Sequence, residues 1–138
     1  MIDRFNPIDM APPFTRYSQG VEIPANARTV IVGGQVGVRP DGSMSDDMAE
    51  QTEQAFRNIE TVLRSKGMEL YDLVQTRTFI VNQQDLLGYR KGRAAAFAAC
   101  DPIPEPAVAL LIVSGLAQSH WKIEICAIGA KIDSGTGT

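Results

Sequence analysis

With 138 residues, 13 Lys and Arg against 16 Asp and Glu, and a formal net charge of −3, the chain is sized for one domain with one sizeable core and has no basic stripe of the kind that neutralises phosphates. That balance argues against nucleic-acid binding. Cys100 and Cys126 stand far apart and His120 is the single histidine, so no zinc or redox motif and no cluster of imidazoles can form; the cysteines read as packed, reduced thiols and His120 as a loop residue.

The first ten residues, MIDRFNPIDM, have an acid at position 3 and no continuous apolar stretch, so they do not read as a secretory leader. No apolar run approaches the roughly 20 residues of a membrane span. A cytoplasmic protein without membrane partners is expected. After this loose start, residues 16–23 (RYSQGVEI) and 28–34 (RTVIVGG) read as two strands of a hairpin turning through PANA, and RPDGS closes the second.

Residues 45–67 carry the strongest periodicity, with Met48, Thr52, Ala55, Phe56, Ile59, Val62 and Leu63 on one helical face. Ser45 suits the cap, Asp46 and Asp47 the positive end of the dipole, and Arg64, Lys66 and Gly67 the finish. Residues 72–81 (DLVQTRTFIV) read as a strand and 82–100 as a second helix, capped by Asn82 and stopped by DPIPEP. Two strands follow, 106–113 and 120–131, with SGLAQS as a hairpin connection.

The order ββαβαββ predicts an α+β fold, a two-layer sandwich in one domain over residues 1–132 with a disordered tail at 133–138. Both helices fall on one sheet face, and the other is left bare. Ala107 to Val113 are apolar without a break, whereas a strand with one wet face alternates. A second copy of the chain is the expected cover.

The blocks RYSQGVEI, VIVGGQVGVRPDGS, QTEQAFRNIETVL, DLVQTRTFIV, PEPA and KIEICAIGA stand in the order, and at about the spacing, of the RidA (YjgF/Rid) family, which the chain resembles over residues 14–131. The resemblance implies a chorismate-mutase-like fold and a homotrimer whose sheets line a central barrel. It further implies small-molecule clefts between neighbouring subunits, with neither metal nor cofactor. In the family's deaminases such clefts hydrolyse reactive enamines and imines to a carbonyl compound and ammonia.

Carried over position by position, the resemblance makes Glu124 the carboxylate that holds or activates water and Tyr17 its partner in catalysis. Gly33, Gly34, Val108 and Leu110 become the ligand-binding positions, with Gln35 completing the GQ pair. Two departures stand out. Gly33 occupies the position of a family serine, and Val108 that of the arginine that grips the substrate carboxylate. An isopropyl group supplies neither charge nor donors, so 2-iminobutanoate deamination is expected to be weak or absent. Alternation puts Val108, Leu110 and Ile112 on one apolar strip.

Each position also has a plainer reading. Glu124 would form an ion pair, Tyr17 would anchor an interface, the Gly33–Gly34 pair would form a bulge, and Asn58 would hydrogen-bond on a helix surface. Arg16 and Arg77 either replace the missing cation or form salt bridges. For the whole protein three readings stay open. The chain is a trimer that binds a small metabolite and hydrolyses an imine lacking the usual carboxylate grip, a non-catalytic binding or scaffold trimer, or a deaminase of an aminomuconate-like compound. Some family members have been described as ribonucleases, which the acidic balance does not support.

Overall fold

Along the last strand, Ile123, Ile125 and Ala127 alternate with Glu124, Cys126 and Ile128, and this alternation sorts the chain into two layers. In the computed structural model, which describes residues 1–134, the first set is buried under two helices and the second lies half-exposed on the opposite face. The strands are β1 (Asp3–Phe5), β2 (Gly20–Glu22), β3 (Arg28–Gln35), β4 (Leu73–Ile80), β5 (Ala107–Ile112) and β6 (Ile123–Lys131), and the helices are α1 (Met48–Arg64) and α2 (Leu86–Phe97). Short 3-10 turns, Leu70–Asp72 and Gln83–Asp85, lead into β4 and α2.

The two-layer α+β arrangement agrees with the sequence reading, but the strand pairing does not follow its hairpins. The main sheet runs β3-β6-β4-β5, antiparallel except for the parallel β4/β5 pair. β2 pairs with β1, in the start expected to be loose, rather than with β3. β6 crosses past β5 and β4 to lie between β3 and β4, where Ile123 and Ile125 are fully buried. β5 is left at the edge with Leu110, Leu111 and Ile112 39–47% exposed, so its apolar run marks an uncovered strand rather than an interior one.

The α1 stripe packs as its period requires: Met48, Thr52, Ala55, Phe56, Ile59 and Leu63 are buried. The cap falls on Asp47, whose carboxylate accepts from the Glu50 N–H at 3.0 Å, while Ser45 Oγ accepts from the Asp47 N–H at 3.0 Å. The buried Gln51 amide donates to the Ser45 carbonyl at 2.8 Å and accepts from the Lys122 N–H at 2.9 Å, fixing α1 to the start of β6. Asn58 donates to the carbonyls of Val36 and Val38, holding the chain that leaves β3. Phe56 and Phe97 meet edge to face at 4.9 Å between centroids, in the core that α1 and α2 share.

The helices approach most closely at Gly92, where an added methyl would overlap the Ala49 carbonyl oxygen and stand 2.6 Å from Thr52 Cβ. At the carboxyl end, Arg28 grips the Asp133 carboxylate with Nε at 2.7 Å and Nη2 at 3.0 Å. Residues 135–138 of the expected tail lie outside the described residues. Among the described residues no helix is long and apolar enough to cross a membrane.

Two outcomes follow from this packing. Gly92→Ala gains about 1 kcal/mol of helix propensity but meets backbone, which cannot move aside cheaply, so a net loss of about 1–2 kcal/mol is expected in the denaturant midpoint. The Arg28 hydrogen bonds hold the Asp133 carboxyl below the ordinary carboxylate range. The small stability this exposed pair adds is therefore present above that range and lost as pH falls through and below it. Wild type and Asp133→Asn should differ slightly in Tm at neutral pH and converge as pH falls below the ordinary carboxylate range.

Candidate functional site

The candidate site falls into two groups of residues on opposite faces of the main sheet. On the bare face, cross-strand register sets Phe79 beside Glu124, Arg77 beside Cys126, and both Gln75 and Ile31 beside Ile128. β3 pairs through Val32 with Ala127 and next through Gln35 with Ile125, so Gly33 and Gly34 together face Cys126 and form a bulge. The bulge has a purpose visible at atomic scale. A methyl added to Gly34 would overlap Glu124 Oε2 and lie 2.8 Å from its Cδ, so the glutamate crosses the glycine backbone where any side chain would displace it. Beside it, a methyl at Gly33 would meet nothing within 4 Å.

The Glu124 carboxylate forms no hydrogen bond or ion pair among the described residues. Arg77, the nearest candidate partner by register, likewise forms no ion pair among them. Burial pushes the Cys126 thiol up, the Glu124 charge pushes it further, and Arg77 opposes both, so the thiol stays protonated at neutral pH and is no nucleophile.

The second group lies under the sheet's other face, at its β5 edge. Register pairs Val108 with Thr76 and Leu110 with Thr78, both threonines buried on the helix side, so Val108 and Leu110 turn toward α2. Between β5, α2 and residues 14–17 lies a cavity of about 640 Å³. Residues 16–18 are tied to the stretch before β5: Ser18 Oγ donates to the Glu105 carbonyl at 2.6 Å, and the Arg16 guanidinium pairs with the Glu105 carboxylate at 3.0 Å. Tyr17 lines the cavity and its hydroxyl accepts from the Phe14 N–H at 3.3 Å. Arg16, and Arg90 and Arg93 of α2, add charge, and Thr15 and Tyr89 add hydroxyls, to walls that are otherwise apolar.

Glu124, Gly33 and Gly34 are thus brought together, and so are Tyr17, Val108 and Leu110, but within one copy the sheet separates the two sets. Of the two candidate replacement cations, Arg16 stands on the Val108 side and is engaged by Glu105, while Arg77 stands on the Glu124 side. Sequence reasoning missed Arg90 and Arg93. The signal was present in Tyr89, Arg93 and Phe97, which are four residues apart and therefore share the α2 face that meets the sheet edge. Among the described residues no three His, Cys, Asp or Glu side chains gather as a metal site would require.

The family model for endoribonuclease L-PSP matches residues 8–131. The 2-iminobutanoate/2-iminopropanoate deaminase of Dermatophagoides farinae is 33% identical over 75 residues, 53% of this chain and 56% of its own length. The protein of the same name from Salmonella typhimurium is 30% identical over 70 residues, 50% of this chain and 52% of its own. The chain spans about half the length of the curated relatives it matches. Among solved structures, the Rid-family protein YyfB of Yersinia pestis, of unknown function, superposes with a TM-score of 0.79 at 30% identity, over 94% of this chain and 98% of that one. The YjgF gene product of E. coli gives 0.71 at 25% identity over the same shares.

Proposed function

The chain belongs to the endoribonuclease L-PSP family, the RidA or YjgF family of its sequence blocks, and on that premise we propose that it hydrolyses an imine or enamine to a carbonyl compound and ammonia, in clefts completed between copies of a homotrimer. The observation that carries this reading is the unpaired Glu124 carboxylate, seated across Gly34 beside open space at Gly33 on an uncovered sheet face. The deaminase names of its relatives support the reaction class. The family's ribonuclease name draws no support from a chain of net charge −3.

In the proposed reaction Glu124 accepts a proton from water as the water oxygen bonds to the imine carbon and the C=N π pair moves to nitrogen. The carboxyl then returns that proton to nitrogen. The C–N bond then breaks with its pair going to nitrogen, and the remaining hydroxyl's proton passes by way of the carboxylate to nitrogen as the carbonyl forms, so that ammonia leaves. An enamine enters the same sequence after its β-carbon is protonated. Two copies are needed because Glu124 and the Tyr17–Val108 cavity of one chain face away from each other. A neighbour's bare face set against the β5 edge would bring the two halves together. With Val108 in the grip position, small imino acids such as 2-iminobutanoate should be hydrolysed weakly or not at all.

A panel of freshly generated imines, followed by ammonia and carbonyl release, tests the chemistry. Glu124→Gln should lower the rate on the best substrate by about 10²- to 10⁴-fold. Gly34→Ala should approach that loss while leaving stability within about 1 kcal/mol, because the displaced carboxylate can swing into open space. Glu124→Gln turning over at the wild-type rate would remove Glu124 from the reaction. No turnover on any imine would leave the non-catalytic binding trimer. For assembly, sedimentation at micromolar concentration should give a trimer. Leu111→Asp, on the bare face beside Phe79, should dissociate it, since burying an unpaired charge costs several kcal/mol. A stable wild-type monomer would overturn the shared cleft.

A further inference from the structure

The cavity between α2 and β5 holds a charge that no carboxylate balances among the described residues. Arg93 Cζ lies 4.8 Å from the Phe97 ring centroid, and Nη2 donates to the Arg16 carbonyl at 3.3 Å. Nε is buried without a partner, and no carboxylate pairs with the guanidinium among the described residues. Burial pushes this guanidinium's pKa down, against a weaker push upward from Tyr89. A largely buried cation whose Nε has no partner is costly, and a glutamine on the same helix face would avoid much of that cost.

Arg90, exposed one turn earlier on the same wall, also has no ion pair among the described residues, whereas Arg16 is paired with Glu105. Among the described residues no Asp or Glu lines the cavity. Phe97, Ile103, Val108 and Leu110 supply apolar walls that exclude water and so strengthen any ion pair formed inside.

We infer that Arg93 is the anion-binding residue of this cavity, and that the ligand it takes is a monocarboxylate carried on an aryl or branched-alkyl body. The site has positive charge in the α2 wall and none at position 108. A carboxylate matches one planar guanidinium, whereas a phosphate would leave oxygens unsatisfied against the apolar walls. The volume of about 640 Å³ suits a body much larger than a methyl or ethyl group. The inference rests on the reading of this cavity as one half of the reaction cleft and names its substrate class: imines of amino acids with large apolar side chains.

Isothermal titration of the full chain with phenylacetate, phenylacetamide, acetate and inorganic phosphate tests it without turnover. Phenylacetate should bind at least about 10-fold tighter than the amide, and tighter than acetate or phosphate. Arg93→Gln should bring the acid-to-amide ratio close to one while amide binding changes by less than about threefold, and Arg93→Lys should restore the ratio in part. Val108→Asp, which sets a carboxylate in the cavity and leaves Arg93 in place, should also abolish acid binding.

Equal binding of acid and amide by the wild type, phosphate binding as tight as phenylacetate, or a ratio that survives Arg93→Gln in a folded, assembled variant would each overturn the assignment. Arg93-dependent acid binding without turnover on any imine would sink the hydrolase reading alone. Glu124-dependent turnover with an acid-to-amide ratio indifferent to Arg93→Gln would sink this inference alone.

Discussion

The insertion of β6 between β3 and β4 is the constraint on which the rest of the structure depends. A strand in that place must bury every second residue under the helices, and Ile123, Ile125 and Ala127 do so at 3% exposure or less. The intervening residues are then committed to the other face, and Glu124 is one of them. Gln51 adds a polar lock on the same strand: its amide, buried in α1, bonds to the backbone of Ser45 and Lys122 and fixes where β6 begins. A one-residue slip would send Glu124 into the core and Ile123 or Ile125 out of it, so hydrophobic burial sets the address of the carboxylate.

The glycine bulge completes that placement by subtraction. An ordinary β3 would put a side chain over the strand exactly where the glutamate needs to lie, and Gly34 leaves the room. The same logic explains why the two parts of the candidate site cannot meet within one copy. Val108 follows the β4/β5 register to the helix side, and Glu124 follows the β6 register to the bare side. Uncovered apolar surface at Ile31, Leu110, Leu111 and Ile112 lies where a second copy would have to sit. Under the proposed assembly, the same contacts that cover this surface also build the cleft.

What could be read from the sequence was whatever depends on local period. The α1 stripe, the alternation of β6 and the stop at DPIPEP are written in residues a few positions apart. Strand order was not legible, because pairing β6 with β3 and β4 is a competition among distant segments that burial decides. The run 107–113 shows the limit well: lack of alternation signals missing cover but cannot distinguish an interior strand from an edge awaiting a partner. Ser45 and Asp47 were both chemically fit to cap α1, and the choice between them came from the path of the preceding loop. The reading of Val108 as standing where an arginine would grip a carboxylate rests on the family resemblance alone. Arg93 was overlooked because a charged helix residue is ordinarily solvated, and its burial depends on how α2 lies against β5.

A positive charge on the helix differs from one on the strand in more than its address. A guanidinium on β5 would stand on the sheet edge itself, whereas Arg93 is stacked on Phe97 and held by the Arg16 carbonyl, with its Nε beyond the reach of water. Under the proposed reading, the substrate's carboxylate is drawn to the helix wall while its reacting carbon must still reach a glutamate supplied by another copy. The span between those points is filled by Val108, Leu110 and Ile103 on the protein side, so it must be filled by apolar substrate atoms or left as a void. Under the same reading, a small imino acid bound at Arg93 would leave these apolar walls uncovered. With valine at position 108 and the buried guanidinium on α2, the proposed reading therefore favours long apolar substrates over short ones.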